Sequence, residues 1–215
     1  MTYKLKTTSV WGGIPPRFFR FLDMITEKGM PKTLCVIGCS DGRYVIPAAK
    51  RGFRVRAIDI DMKAIFGGIQ TIKEKNITME GLFTRIYKEG VSNLIEVVPR
   101  DFMKDKCKKR YSGVFTSGSI HYRENEQYSP QSLINKIKSY VSLGGILLLE
   151  YIHRSESRKD PFRYYFTKGE MENLFRDNRF KITSHKVKRY LESPNPRNPL
   201  IHEIEWARLY ATRLK

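Results

Sequence analysis

The segment Lys32-Thr33-Leu34-Cys35-Val36-Ile37-Gly38-Cys39-Ser40-Asp41-Gly42-Arg43, followed by Arg54-Val55-Arg56-Ala57-Ile58-Asp59-Ile60-Asp61, restricts this chain to few folds. A short apolar run ending in small residues reads as a parallel strand entering a tight turn. Tyr44 to Arg51 then reads as the helix that packs back on the sheet. Gly52 stands where a helix-ending glycine is expected, residues 54–58 form the next strand, and Asp59 lies 21 residues beyond Gly38. A carboxylate there can accept both hydroxyls of a ribose, and the turn is expected to aim backbone N–H groups at whatever sits above it. The spacing fits several nucleotide binders, but the dinucleotide form G-x-G-x-x-G is not met, because Ser40 and Arg43 occupy two of its glycine positions.

Around this unit the pattern alternates. Upstream, Trp11-Gly12-Gly13-Ile14-Pro15-Pro16 leads into a Pro-started helix over residues 17–26. Its Phe18, Phe19, Phe21, Leu22, Met24 and Ile25 mostly share one face, so residues 1–30 are expected to cover the sheet or lid a site. Downstream, helices are predicted over residues 64–75 and, capped by Thr78, over 79–89. Strands follow at 94–98 and 111–116, then a helix at 131–143 and a nearly continuous apolar strand at 146–151, which suits the buried middle of a parallel sheet. Thr167 is expected to cap a helix through Arg176. The alternating stretches 181–190 and 200–212 look like a closing antiparallel hairpin. The predicted fold is α/β: a doubly wound, mostly parallel seven-stranded sheet, Rossmann-like, with a C-terminal antiparallel hairpin. At 215 residues and 40% apolar, one domain is expected, with residues 31–155 as its ligand-binding core and 156–215 as the closing helix and hairpin.

Composition narrows the classes further. No apolar run approaches a membrane span and the first residues lack a signal peptide's apolar stretch, so a soluble, cytoplasmic protein is expected. Cys35, Cys39 and Cys107 are odd in number and lack metal-ligand spacing, which argues against a disulfide framework and a metal site. Forty Lys and Arg against 22 Asp and Glu give a net charge of +18, a field that attracts phosphates and acidic surfaces. The basic residues are nevertheless spread along the chain. The densest run, Lys104-Asp105-Lys106-Cys107-Lys108-Lys109-Arg110, falls in a predicted loop and reads as a solvated surface or as a patch for nucleic acid.

Taken in order, these segments resemble the class I S-adenosylmethionine-dependent methyltransferases. Val36 to Gly42 resembles their first glycine motif, Asp59 their ribose acid, and Asp101-Phe102 the acid and neighbour that contact adenine. Phe115 to Tyr122 resembles their fourth-strand motif, and Leu143-Gly144-Gly145-Ile146-Leu147 their turn into the fifth strand. The glycine turn, the length, the helix start Phe166-Thr167-Lys168-Gly169-Glu170 and residues 202–213 are similar to small tellurite-resistance-type methyltransferases. Two positions depart from the family pattern: Val36 replaces an acid and Ser40 a glycine.

The resemblance implies an enzyme that uses S-adenosylmethionine to methylate a small nucleophile, such as a metalloid or thiol. It implies a cofactor site of Gly38, Cys39, Ser40, Gly42, Asp59, Ile60, Asp101, Phe102 and Ser117, with Ile60 or Phe102 flanking the adenine. His121 is the candidate base, although soft anionic nucleophiles need none. Trp11, Tyr122 and Arg123 are candidate walls of the acceptor pocket. Plainer roles compete: Asp59 or Asp61 as a helix cap, Asp101 as a turn former, His121 as a structural residue. Two other functions also remain open, a nucleic-acid methyltransferase or binder using the basic surface, and a serine hydrolase, since Gly38-Cys39-Ser40-Asp41-Gly42 satisfies G-x-S-x-G. The position of that motif on the first strand argues against the hydrolase.

Overall fold

A computed structural model describes residues 9–72, 75–121, 127–154, 159–160, 163–192 and 202–215. Pro15 and Pro16 set the start of α1 (Pro16–Glu27), where the missing proline N–H leaves no orphan donor, and the helix buries Phe18, Phe21, Leu22 and Ile25. The core unit follows as β1 (Thr33–Ile37), α2 (Val45–Lys50) and β2 (Arg54–Asp59), then α3 (Met62–Phe66), β3 (Gly68–Ile72), β4 (Lys75–Met79) and α4 (Leu82–Lys88). Next come β5 (Ile95–Pro99), β6 (Tyr111–Ser117), α5 (Pro130–Ser139) and β7 (Val141–Ile152), and a short pair, β8 (Lys159–Asp160) with β9 (Arg163–Tyr164). α6 (Lys168–Asn173), β10 (Phe180–Glu192) and β11 (His202–Arg213) close the chain's order of elements.

Seven strands form one sheet in the order β10-β11-β7-β6-β1-β2-β5. The run from β5 to β7 is parallel, and β11 and β10 add to it antiparallel. The strand order reverses direction between β1 and β6, the point where α/β sheets open a crevice beyond their strand ends. α1, α2 and α4 cover one face through Phe18, Phe21, Val45, Leu82 and Ile86. Leu133, Ile134 and Ile137 of α5 and Met171 of α6 cover the other. β7 feeds both layers, Ile146 and Leu148 to the first and Leu147 and Leu149 to the second, which is why its sequence is continuously apolar.

The predicted helix over 64–75 does not form. α3 ends at Phe66 because Gly67 and Gly68 take φ of 91° and 133°, and the chain turns into the β3–β4 hairpin. Thr78 lies in β4 and caps nothing; Gly81, at φ 89°, precedes α4 instead. α5 stops at Ser139, four residues before the predicted end, and β7 runs from Val141 through the glycine pair. Thr167 does cap α6, its side chain accepting from Glu170 N–H while Glu170 reaches back to Thr167 N–H. The basic run at 104–110 is tethered by its one acid: Asp105 is buried, bonded by Arg56 and by the Tyr140 hydroxyl at 2.8 Å. No described helix is long and apolar enough to cross a membrane.

Candidate active site

The register places the three diagnostic segments side by side. Ile37 pairs with Ile58 and Asp59 with Pro99, so Gly38, Asp59 and Asp101 stand at the carboxyl ends of three adjacent strands. At about 4.8 Å per strand, the span from β1 to β5 is about 10 Å, the length of a nucleoside.

The turn after β1 is fastened mostly to the end of β2. Gly38 and Cys39 both donate to the Ile58 carbonyl at 2.8 and 3.1 Å, and Gly42 donates to the Cys39 carbonyl at 3.0 Å. Ser40 N–H donates to Asp59 Oδ2 at 2.6 Å. The expectation that these N–H groups face a ligand is therefore corrected: four donors of the turn have internal partners, and what the turn offers is shape. A Cβ on Gly38 would lie 1.7 Å from Ser119 Oγ, so glycine is needed there for the β1 and β6 ends to meet. Ser40 takes φ 47°, the left-handed region that favours glycine, at the position where the family pattern has glycine.

Asp59 accepts a second bond from Asp61 N–H at 2.9 Å through Oδ1, so both oxygens are oriented by backbone. Burial pushes its carboxyl above the usual aspartate range, against the opposing pull of those N–H bonds. Ile60 N–H is a further backbone donor toward the carboxyl, and the acceptor capacity left over is available to a hydroxyl donor. The helix cap is Asp61, which accepts from Lys63 and Ala64 N–H. Next to Asp59, Ile60 is 56% exposed and presents an open apolar face, whereas Phe102 is buried in the core. Asp101 caps a single 3-10 turn through Met103 N–H at 2.9 Å and accepts the Tyr128 hydroxyl at 2.7 Å.

Cys39, Ser117 and Trp11 do something other than line a pocket. The Cys39 side chain is buried in the core, where desolvation pushes its thiol well up, so it brings no side chain to the edge. Ser117 donates to Glu150 Oε2 at 2.9 Å. Trp11 turns its indole N–H onto Ser40 Oγ at 2.8 Å. The leader is further held by Ser9 Oγ and Val10 N–H on Asp41 at 2.9 and 3.0 Å, and by Arg43 on the Gly13 carbonyl. Asp41 itself is buried against Arg85 at 3.0 Å. The segment before α1 thus lies over the glycine turn, tied down by the turn's own side chains. His121 is buried, edge-on to Trp206 with ring centres 6.3 Å apart. Tyr122 and Arg123 lie outside the described residues.

Sequence reasoning passed over Ser119, Glu150 and Trp206. The one available signal was Glu150, a lone charge ending the apolar run Ile146-Leu147-Leu148-Leu149. As for Ser40, its hydroxyl accepts from an indole that cannot act as a base, and its turn follows the first strand of the sheet, so the hydrolase elbow is not built here.

The sheet order, the glycine turn after β1 and the acid after β2 make this the fold of class I S-adenosylmethionine-dependent methyltransferases. Solved structures agree. TehB from Haemophilus influenzae superposes with a TM-score of 0.71 at 17% identity, over 99% of this chain and 65% of that one. This chain therefore spans about two thirds of the TehB structure's length. A SAM-dependent methyltransferase from Methanosarcina mazei gives 0.66 at 15% identity over 94% and 99% of the two chains. The 1,6-didemethyltoxoflavin-N1-methyltransferase of Burkholderia thailandensis, solved with S-adenosylhomocysteine, gives 0.61 at 14% identity over 92% and 78%. No protein-family model and no curated protein sequence matches the chain.

Proposed function

We propose that this protein is an S-adenosylmethionine-dependent methyltransferase that acts on a small-molecule nucleophile, a metalloid, thiol or similar group. The observation that carries the reading is the Asp59 carboxylate, fixed by Ser40 and Asp61 N–H at the sheet edge with the exposed Ile60 beside it. This arrangement fits an adenosine: Asp59 for the ribose hydroxyls, Ile60 for one face of the base, Asp101 for the adenine amino group. Gly38 to Gly42 would lie along the amino-acid end, with Cys39 and Phe102 shaping the edge from the core.

The cofactor supplies an electrophilic methyl on a sulfonium. The chain's part is to align the acceptor and keep water out, and no general acid is needed. The leader held by Asp41 and Ser40 covers the turn and serves that exclusion. His121, just after β6, accepts a proton from nucleophiles that must lose one, or orients those that need not.

Calorimetry with S-adenosylmethionine and S-adenosylhomocysteine tests the reading, with micromolar affinity for both expected; folded protein that binds neither would overturn it. An acceptor screen against thiols, metalloid oxyanions and small amines then identifies the substrate class. A nucleic-acid acceptor is the second reading, carried by the net charge of +18. It requires RNA or DNA affinity that falls steeply with salt.

A further inference from the structure

On the β6–β7–β11 side of the crevice, away from Asp59, lies a charged cluster. Glu150, at the carboxyl end of β7 with its side chain 3% exposed, accepts from Arg17 and, on the same Oε1, from Arg208 Nε at 3.1 Å. Ser117 supports the other oxygen. Arg17 comes from the first turn of α1, and Arg208 stands directly across from Glu150 in the β7–β11 register, so three separate segments converge. Two guanidiniums against one carboxylate leave an excess positive charge. One arginine would suffice to neutralise a buried acid, and the second therefore calls for another explanation.

Arg17 and Arg208 are both held by Glu150 yet keep 31% and 23% of their side chains exposed. A guanidinium has five N–H donors in a rigid fork, and Glu150 engages Nε of each arginine and one outer nitrogen of Arg17. Trp206, two residues before Arg208 on the same strand face, lies against Gly118 and His121. The arginines thus lie on the same side as the turn after β6.

We propose that Arg17 and Arg208, set in place by Glu150, form an anion-recognising wall of the acceptor site, so that the molecule methylated carries a carboxylate or a comparable oxyanion. The assignment of this side to the acceptor rests on the methyltransferase reading; the anion site itself is measured independently of it.

The test titrates the full-length protein, with and without S-adenosylhomocysteine, with benzoate, sulfate and the neutral isostere benzamide. At least one anion binds tenfold or more tightly than benzamide. Benzoate over sulfate marks an organic acid, and the reverse an inorganic oxyanion. Arg17→Gln and Arg208→Gln each weaken anion binding about tenfold. Glu150→Gln keeps both guanidiniums but removes the neutralising charge, and so tightens binding at least threefold, a change of sign that misfolding cannot produce. Equal binding of anions and benzamide, no binding of any of them, or weakening by Glu150→Gln overturns the proposal. So does loss of S-adenosylhomocysteine affinity in the arginine variants with anion binding unchanged, which would assign the pair to the cofactor's own carboxylate. If the wild type binds no S-adenosylhomocysteine, the methyltransferase reading fails by itself, and the ligand-free titrations still decide the anion site.

Discussion

The indole N–H of Trp11 donates to Ser40 Oγ at 2.8 Å, so the leader closes on the one described non-glycine residue with positive φ. The side chain that a glycine would lack is the one that fastens the lid. Strain in the turn and closure over it are therefore linked through a single residue.

Two substitutions separate these contributions. Ser40→Ala keeps the left-handed strain and loses the bond, at a cost of about 1 kcal/mol. Ser40→Gly loses the same bond but relieves strain of about 1 kcal/mol, and returns close to wild-type stability. Urea unfolding of both proteins measures the difference, and Trp11 emission shifts in both. Equal stabilities for the two variants would show that φ at Ser40 carries no strain.

Gly38 and Ser119 form a second coupled pair. A Cβ at Gly38 meets Ser119 Oγ at 1.7 Å and Ser119 Cβ at 2.6 Å, on a backbone with φ 74°. Gly38→Ala is expected to destabilise by more than about 2 kcal/mol, overpacking added to a left-handed alanine. Ser119→Gly in the same chain removes the overlap and restores stability to within about 1 kcal/mol of Ser119→Gly alone, the remainder being the backbone term. A double-mutant cycle with no coupling would mean that the strand ends move apart instead.

Asp41 and Arg85 are buried together, with side chains 3% and 5% exposed. Arg85→Leu leaves Asp41 with Ser9 and Val10 as its bonded donors and no opposite charge. The expected loss is about 3 to 5 kcal/mol. Asp41→Asn combined with Arg85→Leu removes both charges and recovers most of it in thermal unfolding. The single variant also loosens the leader, which faster proteolysis near Trp11 would reveal.

Local chemistry made β1, the glycine turn, β2 and its acid readable, because turn, helix and strand signals there agree over a short span. The doubly wound sheet and the closing hairpin followed from alternation. The helix expected over 64–75 gives way to the β3–β4 hairpin because Gly67 and Gly68 take positive φ, a backbone choice that the order of residues alone does not announce. The role of Trp11 was also hidden. Its partner Ser40 is 29 residues away, and nothing in the order of residues says which way a leader folds. Glu150 carried a signal, a charge in an apolar strand, but its partners Arg17 and Arg208 lie 133 and 58 positions distant. Long-range polar convergence has no periodicity to read.

Asp59 gives the most direct test of the site. Burial raises its carboxyl above the ordinary aspartate value of 3.8, so the folded chain holds a proton there more readily than the unfolded chain does. The stabilising contribution is thus full in acid and is lost as pH rises through the raised folded value. At neutral pH the ionised form is held against a desolvation penalty, which the site retains for a ligand. Asp59→Asn removes the penalty but keeps only one oxygen to accept the Ser40 and Asp61 N–H groups, so stability at neutral pH should stay within about 1 kcal/mol of wild type, with any advantage shrinking on acidification. S-adenosylhomocysteine affinity should fall by about ten- to a hundredfold, the worth of hydrogen bonds to a charged acceptor. Wild-type affinity should decline as pH is lowered through the raised Asp59 value, toward the pH-independent level of the variant. Calorimetry across that range decides: an unchanged affinity in Asp59→Asn, or a flat wild-type profile, would remove Asp59 from the ribose site.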